Sequence, residues 1–185
     1  MIYGERIRFR HTEREDLPLF VKWFNDPEVR QGLNSVLPMS LSNEEKWFER
    51  MLQLPMEEQV LCIEMRDRDD WRLIGNCGFF TIDHRVRNAE VGIIIGEKEL
   101  WNQGYGTEAM QLLLKHGFNT LNLNRIFLRV YENNPRAIRS YEKVGYVHEG
   151  RQRQAHYFDG QYLDVIFMSV LKDEWQAKQE AEAKK

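Results

Sequence analysis

The sequence predicts a mixed α+β domain, and three observations carry that reading. Residues 59–65, 73–82 and 89–95 are apolar runs of strand length, joined by polar connections too short to hold a helix. That spacing suits an antiparallel meander. The pattern then switches to a glycine loop, a helix over 107–121, a strand over 125–131 and a short helix over 135–144. Two closing strands, 146–149 and 162–171, flank a turn at Asp159-Gly160. A meander followed by strand–loop–helix–strand–helix makes a sheet with helices packed against it.

Residues 6–9 read as the first strand. Thr12 is the expected N-cap of the first helix, with Glu15 three residues on at capping-box spacing. Leu17, Phe20, Val21 and Phe24 follow at helical spacing. Asn25-Asp26-Pro27 ends the helix, because the residue before proline is biased away from α. Residues 30–40 are irregular, with Gly32 and Pro38. A second helix runs from 43 or 44 to 54, capped by Ser42 or Asn43. Trp47, Phe48, Met51 and Leu52 form its stripe, and Pro55 closes it. The strand at 59–65 is apolar on both faces, so it is expected to be central. In 89–95, Val91, Ile93 and Ile95 share one face. The helix at 107–121 carries Met110, Leu113, Leu114, Gly117, Phe118 and Leu121 on one stripe. Gly145 sits where a left-handed C-terminal cap belongs. Residues 1–175 then form a single domain. The Ala/Glu/Lys-rich stretch 176–185 is expected to fray.

The 185 residues suit one core, and a composition of 42% hydrophobic and 30% charged residues is ordinary for a globular protein. No apolar run approaches the roughly 18 residues of a membrane span, and the first residues lack a signal-peptide stretch. These absences point to the cytoplasm and away from a membrane. A net charge of −3 gives no general reason to expect nucleic acid. Cys62 and Cys77 lie in apolar stretches and read as reduced core residues. No CxxC or Cys/His cluster suggests a metal. None of the five histidines has a catalytic spacing.

The chemistry-bearing motif is Trp101-Asn102-Gln103-Gly104-Tyr105-Gly106-Thr107. Glycines let the backbone turn tightly and come close to a ligand. The first N–H groups of the following helix have no intrahelical partner, and the dipole adds positive charge. Together these make a phosphate or pyrophosphate cradle. The plainer reading is a turn with Thr107 as the helix cap. Gly104-x-Gly106-x-x-Ala109 also matches a dinucleotide fingerprint, which would imply an oxidoreductase. That fingerprint follows its strand immediately in an early βαβ unit. Here eight residues separate Ile95 from Gly104, and a meander precedes them.

A second motif is Asn134-Pro135-Arg136-Ala137-Ile138-Arg139-Ser140-Tyr141-Glu142-Lys143-Val144-Gly145-Tyr146. With the glycine loop, in this order and separation, it resembles the GNAT superfamily of N-acetyltransferases. It looks most like the branch holding ribosomal-protein N-terminal acetyltransferases and spermidine acetyltransferases. The likeness covers roughly residues 5–175. Trp101 stands where the general family has Gln or Arg, and an aromatic there fits that branch.

The resemblance implies a GNAT-like α+β fold: a mixed, mostly antiparallel twisted sheet flanked by helices, with strands splayed at the cofactor site. It implies an enzyme that moves an acetyl group from acetyl-CoA to a primary amine by direct attack, through a tetrahedral oxyanion. Acetyl-CoA is then a co-substrate, with no metal. The acceptor would be a protein N-terminal amine or a small polyamine-like amine. Asn102, Gln103, Gly104, Tyr105, Gly106 and Thr107 would hold the pyrophosphate. Ile93, Ile94 and Ile95 would offer backbone groups to the pantetheine arm. Asn134 would touch the cofactor, although it equally reads as an N-cap before Pro135. Arg136 and Arg139 would meet CoA phosphates, or else form a solvated helix face.

Tyr141 is the family-matched acid for the leaving thiolate, against the alternative of a packed core tyrosine. Glu90 is the expected proton acceptor, directly or through water, against a solvated strand-end charge. Glu64 is the second candidate for that role. The acceptor cleft would form from residues 24–40 and 152–162, whose charges are mixed. The branch allows a homodimer. A non-catalytic acyl-CoA-binding or regulatory module on the same fold stays open at this stage.

Overall fold

The computed structural model describes residues 1–33 and 37–184. Asn34, Ser35, Val36 and Lys185 lie outside the described residues, with the parts of the expected acceptor cleft and tail that fall on them.

One eight-stranded sheet runs through the molecule. Its strands are β1 (Ile2–Tyr3), β2 (Ile7–His11), β3 (Leu61–Asp67), β4 (Asp70–Asp83), β5 (Asn88–Ile95), β6 (Arg125–Tyr131), β7 (Val147–Phe158) and β8 (Gln161–Leu171). Their order is β1-β2-β3-β4-β5-β6-β8-β7. Every neighbouring pair is antiparallel except β5 with β6. The meander expected from residues 59–95 is therefore β3–β5. A doubly wound parallel sheet is ruled out, and the dinucleotide reading falls with it.

The helices divide between the faces. α1 (Leu17–Asn25), the short α2 (Pro27–Arg30) and α3 (Leu41–Met51) come first. Phe20, Trp23, Phe48 and Met51 pack with Cys62 of β3, and Leu73 and Ile94 border that cluster. α4 (Tyr105–Asn119), α5 (Pro135–Val144) and α6 (Lys172–Ala183) follow. Met110, Leu113, Leu114 and Phe118 of α4 pack with Phe79, Val91, Ile126 and Leu128 on the other side. The alternation of β5 is thus real: Ile93 and Ile95 lean on the α4 core, and Ile94 leans on the α1–α3 core. Gly117 brings α4 close to the sheet, since a Cβ there would lie 2.6 Å from Ile126 Cδ1.

Several boundaries differ from expectation, each for a physical reason. Thr12 does not cap α1. It is buried, and its hydroxyl donates to the Val60 carbonyl at 2.9 Å. A short 3₁₀ turn precedes α1 instead, and the Glu13 N–H donates to Asp16 Oδ2 at 2.8 Å. Ser40, not Ser42 or Asn43, caps α3 by accepting the Asn43 N–H. α4 starts at Tyr105, so Gly104 rather than Thr107 is its N-cap residue. β7 runs on to Phe158, well past 149; residues 147–155 are exposed on both faces, so no alternation marks them. The stretch expected to fray continues α6 to Ala183. Trp175 anchors that helix against Phe118, with ring centroids 5.4 Å apart.

Glu64 is structural. It is 5% exposed and accepts from Arg8 Nε at 2.6 Å and Arg10 Nε at 2.7 Å. Arg10 also forks onto Asp16 at 2.7 and 2.8 Å. This network ties β2, β3 and the turn before α1, and a buried carboxylate needs such partners. The cysteines are free and buried. Burial pushes the Cys62 thiol up to about 12.

Glu44 is the contrasting case. It lies on the buried stripe of α3 with Phe48 and Met51, 1% exposed, and its Oε1 has no hydrogen-bond partner among the described residues. Burial raises its carboxyl to about 7. A carboxyl raised on folding stabilises the fold fully below its unfolded value, and that contribution is lost as pH rises through the folded value. Urea unfolding at pH 5 and pH 8 should therefore show a loss toward pH 8, on the order of 2–3 kcal/mol from this group. Glu44→Gln should flatten that loss; an unchanged slope would show that Glu44 is not its source.

Candidate active site

β5 and β6 hydrogen-bond only at their start. Their pairing covers Asn88 with Arg125, Ala89 with Ile126 and Glu90 with Phe127, and goes no further. β5 continues to Ile95 against β4, and β6 continues to Tyr131 against β8. The two strands therefore splay beyond Glu90. A parallel pair with its crossover helix opens most easily at the carboxyl ends of its strands, where α4 and α5 begin.

A cavity of about 840 Å³ fills the fork. Residues 91–95 form one wall and the start of α5 the other. The glycine loop closes one end, and Val29, Gly32 and Leu33 also line the cavity. Of the residues expected to hold a cofactor, Ile93, Ile94, Ile95, Asn102, Gly104, Tyr105, Gly106, Thr107, Asn134, Arg136 and Arg139 all line it, and Tyr141 does too. Gln103 and Glu90 do not. The Gln103 side chain turns back and donates to the Glu99 carbonyl at 2.6 Å.

The loop geometry suits an anion. Gly104 has φ +87°, a left-handed conformation that a side chain would strain, and no side chain caps the helix it starts. The first N–H groups of α4 are thus left to a ligand. Arg6 and Glu108 hold the loop from behind. Glu108 accepts the backbone N–H groups of Glu5 and Arg6 at 3.0 and 2.8 Å, and Arg6 Nε at 2.8 Å. The Arg6 guanidinium lies 4.5 Å from the Tyr105 ring centroid. Sequence reasoning missed this brace, because nothing local to residues 5 and 6 signals a contact with 108.

Trp101 has a definite task. Its indole N–H donates to the Ile95 carbonyl at 2.7 Å, at the end of the unpaired edge. The Arg136 guanidinium stacks on its ring at 3.5 Å. That stack joins α5 to the glycine loop across the cavity. Thr107 and Ser140 hydroxyls meet at 2.8 Å and link α4 to α5 below it. Asn134 is an N-cap, its Oδ1 accepting the Ala137 N–H at 3.2 Å, so its structural reading holds while it also lines the cavity.

Tyr141 is half-buried beside Tyr146, with ring centroids 5.8 Å apart. Burial pushes its phenol up to about 12, against a smaller opposing pull from Arg136. Its proton therefore stays on at neutral pH.

Glu90 sits differently from expectation. Arg129 of β6 holds its carboxylate with two hydrogen bonds, from Nε to Oε1 at 2.7 Å and Nη2 to Oε2 at 3.1 Å. Arg129 lines the cavity; Glu90 lies behind it. Phe80 also lines this end. It stands over Gly92, where a Cβ would lie 2.9 Å from its Cε2. Neither Arg129 nor Phe80 was singled out from sequence.

A family model described as the acetyltransferase (GNAT) domain matches residues 6–147. The chain is similar to p20, an uncharacterized N-acetyltransferase of Bacillus licheniformis, at 31% identity over 94% of this chain and 97% of p20. It is 28% identical to the spermidine N(1)-acetyltransferase of Escherichia coli K12, over 93% of this chain and 89% of that one. Among solved structures, spermidine N-acetyltransferase from Vibrio cholerae, in complex with CoA and spermine, superposes with a TM-score of 0.85. It shares 26% identity, covering 94% of this chain and 99% of that one.

Replacing Trp101 with Phe keeps the ring under Arg136 and removes the bond to Ile95. A neutral hydrogen bond is worth about 1 kcal/mol, or roughly fivefold. KM for acetyl-CoA should rise by that order with the melting temperature little changed. An unaltered KM would mean that the Ile95 carbonyl plays no part in the cofactor wall.

Proposed function

The chain belongs to the acetyltransferase (GNAT) family, and from that premise we propose how its own residues carry the reaction. The enzyme transfers an acetyl group from acetyl-CoA to a primary amine. One observation supports the site above all others: the fork between β5 and β6 joins an unpaired strand edge, an uncapped helix N-terminus and a protonated tyrosine in one cavity.

The residues fit acetyl-CoA. The open N–H groups at Gly104–Thr107 would take the pyrophosphate. The backbone of residues 93–95 would pair with the amide-rich arm much as a strand does. Arg136 and Arg139 would meet phosphate oxygens, and Asn134 would border the arm while still capping α5. Asn102 and Gln103 would serve through the main chain of the loop. When bound, acetyl-CoA supplies a thioester carbonyl open to attack and a thiolate as leaving group.

Tyr141 Oη holds its proton at neutral pH and lies in the cavity, so it would donate toward the leaving sulfur. The acceptor must arrive as, or become, a free amine, since an ammonium has no lone pair. Glu90 would take that proton through an intervening water, because Arg129 stands between its carboxylate and the cavity. The homodimer expected for this branch belongs to the same proposal. β7 is the edge strand, and its exposed residues 147–155 leave a row of backbone groups for a second copy.

Tyr141→Phe should lower kcat by about 10²–10³ with KM for acetyl-CoA within a factor of about three, the pattern of a lost proton donor. Unchanged turnover would remove Tyr141 from the mechanism. Glu90→Gln should alter the acidic limb of the kcat/KM profile for the amine. An unaltered limb would assign that proton to solvent alone.

A further inference from the structure

Acceptor selectivity can be read from the charges around the fork. Of the described residues lining the cavity, the charged ones are Glu28, Arg129, Arg136, Arg139 and Lys143. That is four cations against one carboxylate, a net of +3. Glu28 shares Lys98 Nζ with Asp26, at 2.7 and 2.8 Å, on the α2 side of the cavity. Arg136, Arg139 and Lys143 all belong to α5, on the side suited to phosphates. Arg129 is set apart. It alternates with Leu128 and Val130, which are buried toward α4, so it faces the opposite side of the sheet. That is the side of Phe80 and Gly92.

Glu90 is the carboxylate that could have drawn a cationic acceptor to this end. Its side chain is only 18% exposed, whereas that of Arg129 is 56% exposed. The two bonds between them consume the carboxylate's attraction internally and turn a guanidinium outward. Phe80 adds apolar surface on the same side of the sheet, and Val29 and Leu33 are further apolar residues of the cavity lining.

We propose that Arg129 is a specificity-determining residue: by occupying Glu90 it presents a cation at the acceptor end of the cavity and selects primary amines that carry no second positive charge. A diamine or polyamine must bring its second ammonium against the guanidinium, where the neighbouring carboxylate, Glu90, is already paired. A monoamine with an uncharged or apolar body meets Phe80 and the apolar lining without that repulsion. This is discrimination by an unfavourable contact with the wrong ligand. It rests on the acetyl-transfer reading above.

The test uses two amines of equal length, butylamine and putrescine, which differ by one terminal ammonium. The readout is the ratio of their kcat/KM values in thiol release from acetyl-CoA by the full chain. The wild type should favour butylamine by at least about tenfold. Arg129→Met should cut that preference by about tenfold or more, and Arg129→Lys should keep it. Adding Glu90→Gln to Arg129→Met should abolish the gain for putrescine. The ratio does not depend on how far either change lowers turnover itself. Should Arg129→Met fold poorly, Arg129→Gln makes the same comparison. A wild type that prefers putrescine, or a ratio indifferent to residue 129, overturns the proposal. Absence of thiol release with every amine, peptide α-amines included, would instead overturn the transfer reading. Calorimetric binding of the two amines to the CoA-loaded protein would then decide the charge discrimination, and equal affinities would refute it.

Discussion

The fork beyond Glu90 and Phe127 is the constraint on which the rest of the molecule depends. Once β5 and β6 stop pairing, each presents backbone N–H and C=O groups inside the fold, and such groups must find partners. β5 closes its other edge on β4, and β6 closes its other edge on β8, so neither can re-pair. Trp101 satisfies the last carbonyl of β5, and the remaining edge is available to an amide-bearing ligand. The site is thus the sheet's own unfinished hydrogen bonding, given shape by what surrounds it.

What surrounds it is held by contacts from distant parts of the chain. α4 can point its N-terminus into the fork because Gly117 lets it lie flat on Phe79 and Ile126. The glycine loop keeps its left-handed turn because Arg6 and Glu108 brace it. α5 is fixed by Asn134 at one end and by left-handed Gly145 at the other, and it is linked to α4 through Thr107 and Ser140. The braces on the glycine loop and between α4 and α5 use charged or polar pairs.

Charge separates the two ends of the cavity. The end at the glycine loop gathers a helix dipole and the cations of α5, which favour phosphate. The end at Arg129 shows a guanidinium whose counter-charge, Glu90, is hidden. The same Glu90–Arg129 pair also bridges β5 and β6 just past their last shared hydrogen bond. A pair at that point links the width of the fork to the charge presented in the cavity. The buried Arg8–Glu64–Arg10–Asp16 network, by contrast, has no opening to the cavity and serves the fold.

The sequence by itself determined the meander, the helix after the glycines, the Asn134 cap and the Gly145 cap. These are local: period-two or helical spacing, a turn residue, a cap three residues from its partner. Element ends slipped where a tertiary bond took over a local role, as when Thr12 spent its hydroxyl on Val60 and left Asp16 to order the turn before α1. β7 and α6 were underread because exposed elements carry no hydrophobic period. Only the tertiary structure decided that Glu90 faces Arg129, that Gln103 turns away from the cavity, that Phe80 lies over Gly92 and that Arg136 stacks on Trp101. The three pairs among them lie between 12 and 39 residues apart in the chain. No spacing rule reaches that far, because strand order, and not sequence separation, sets which side chains meet.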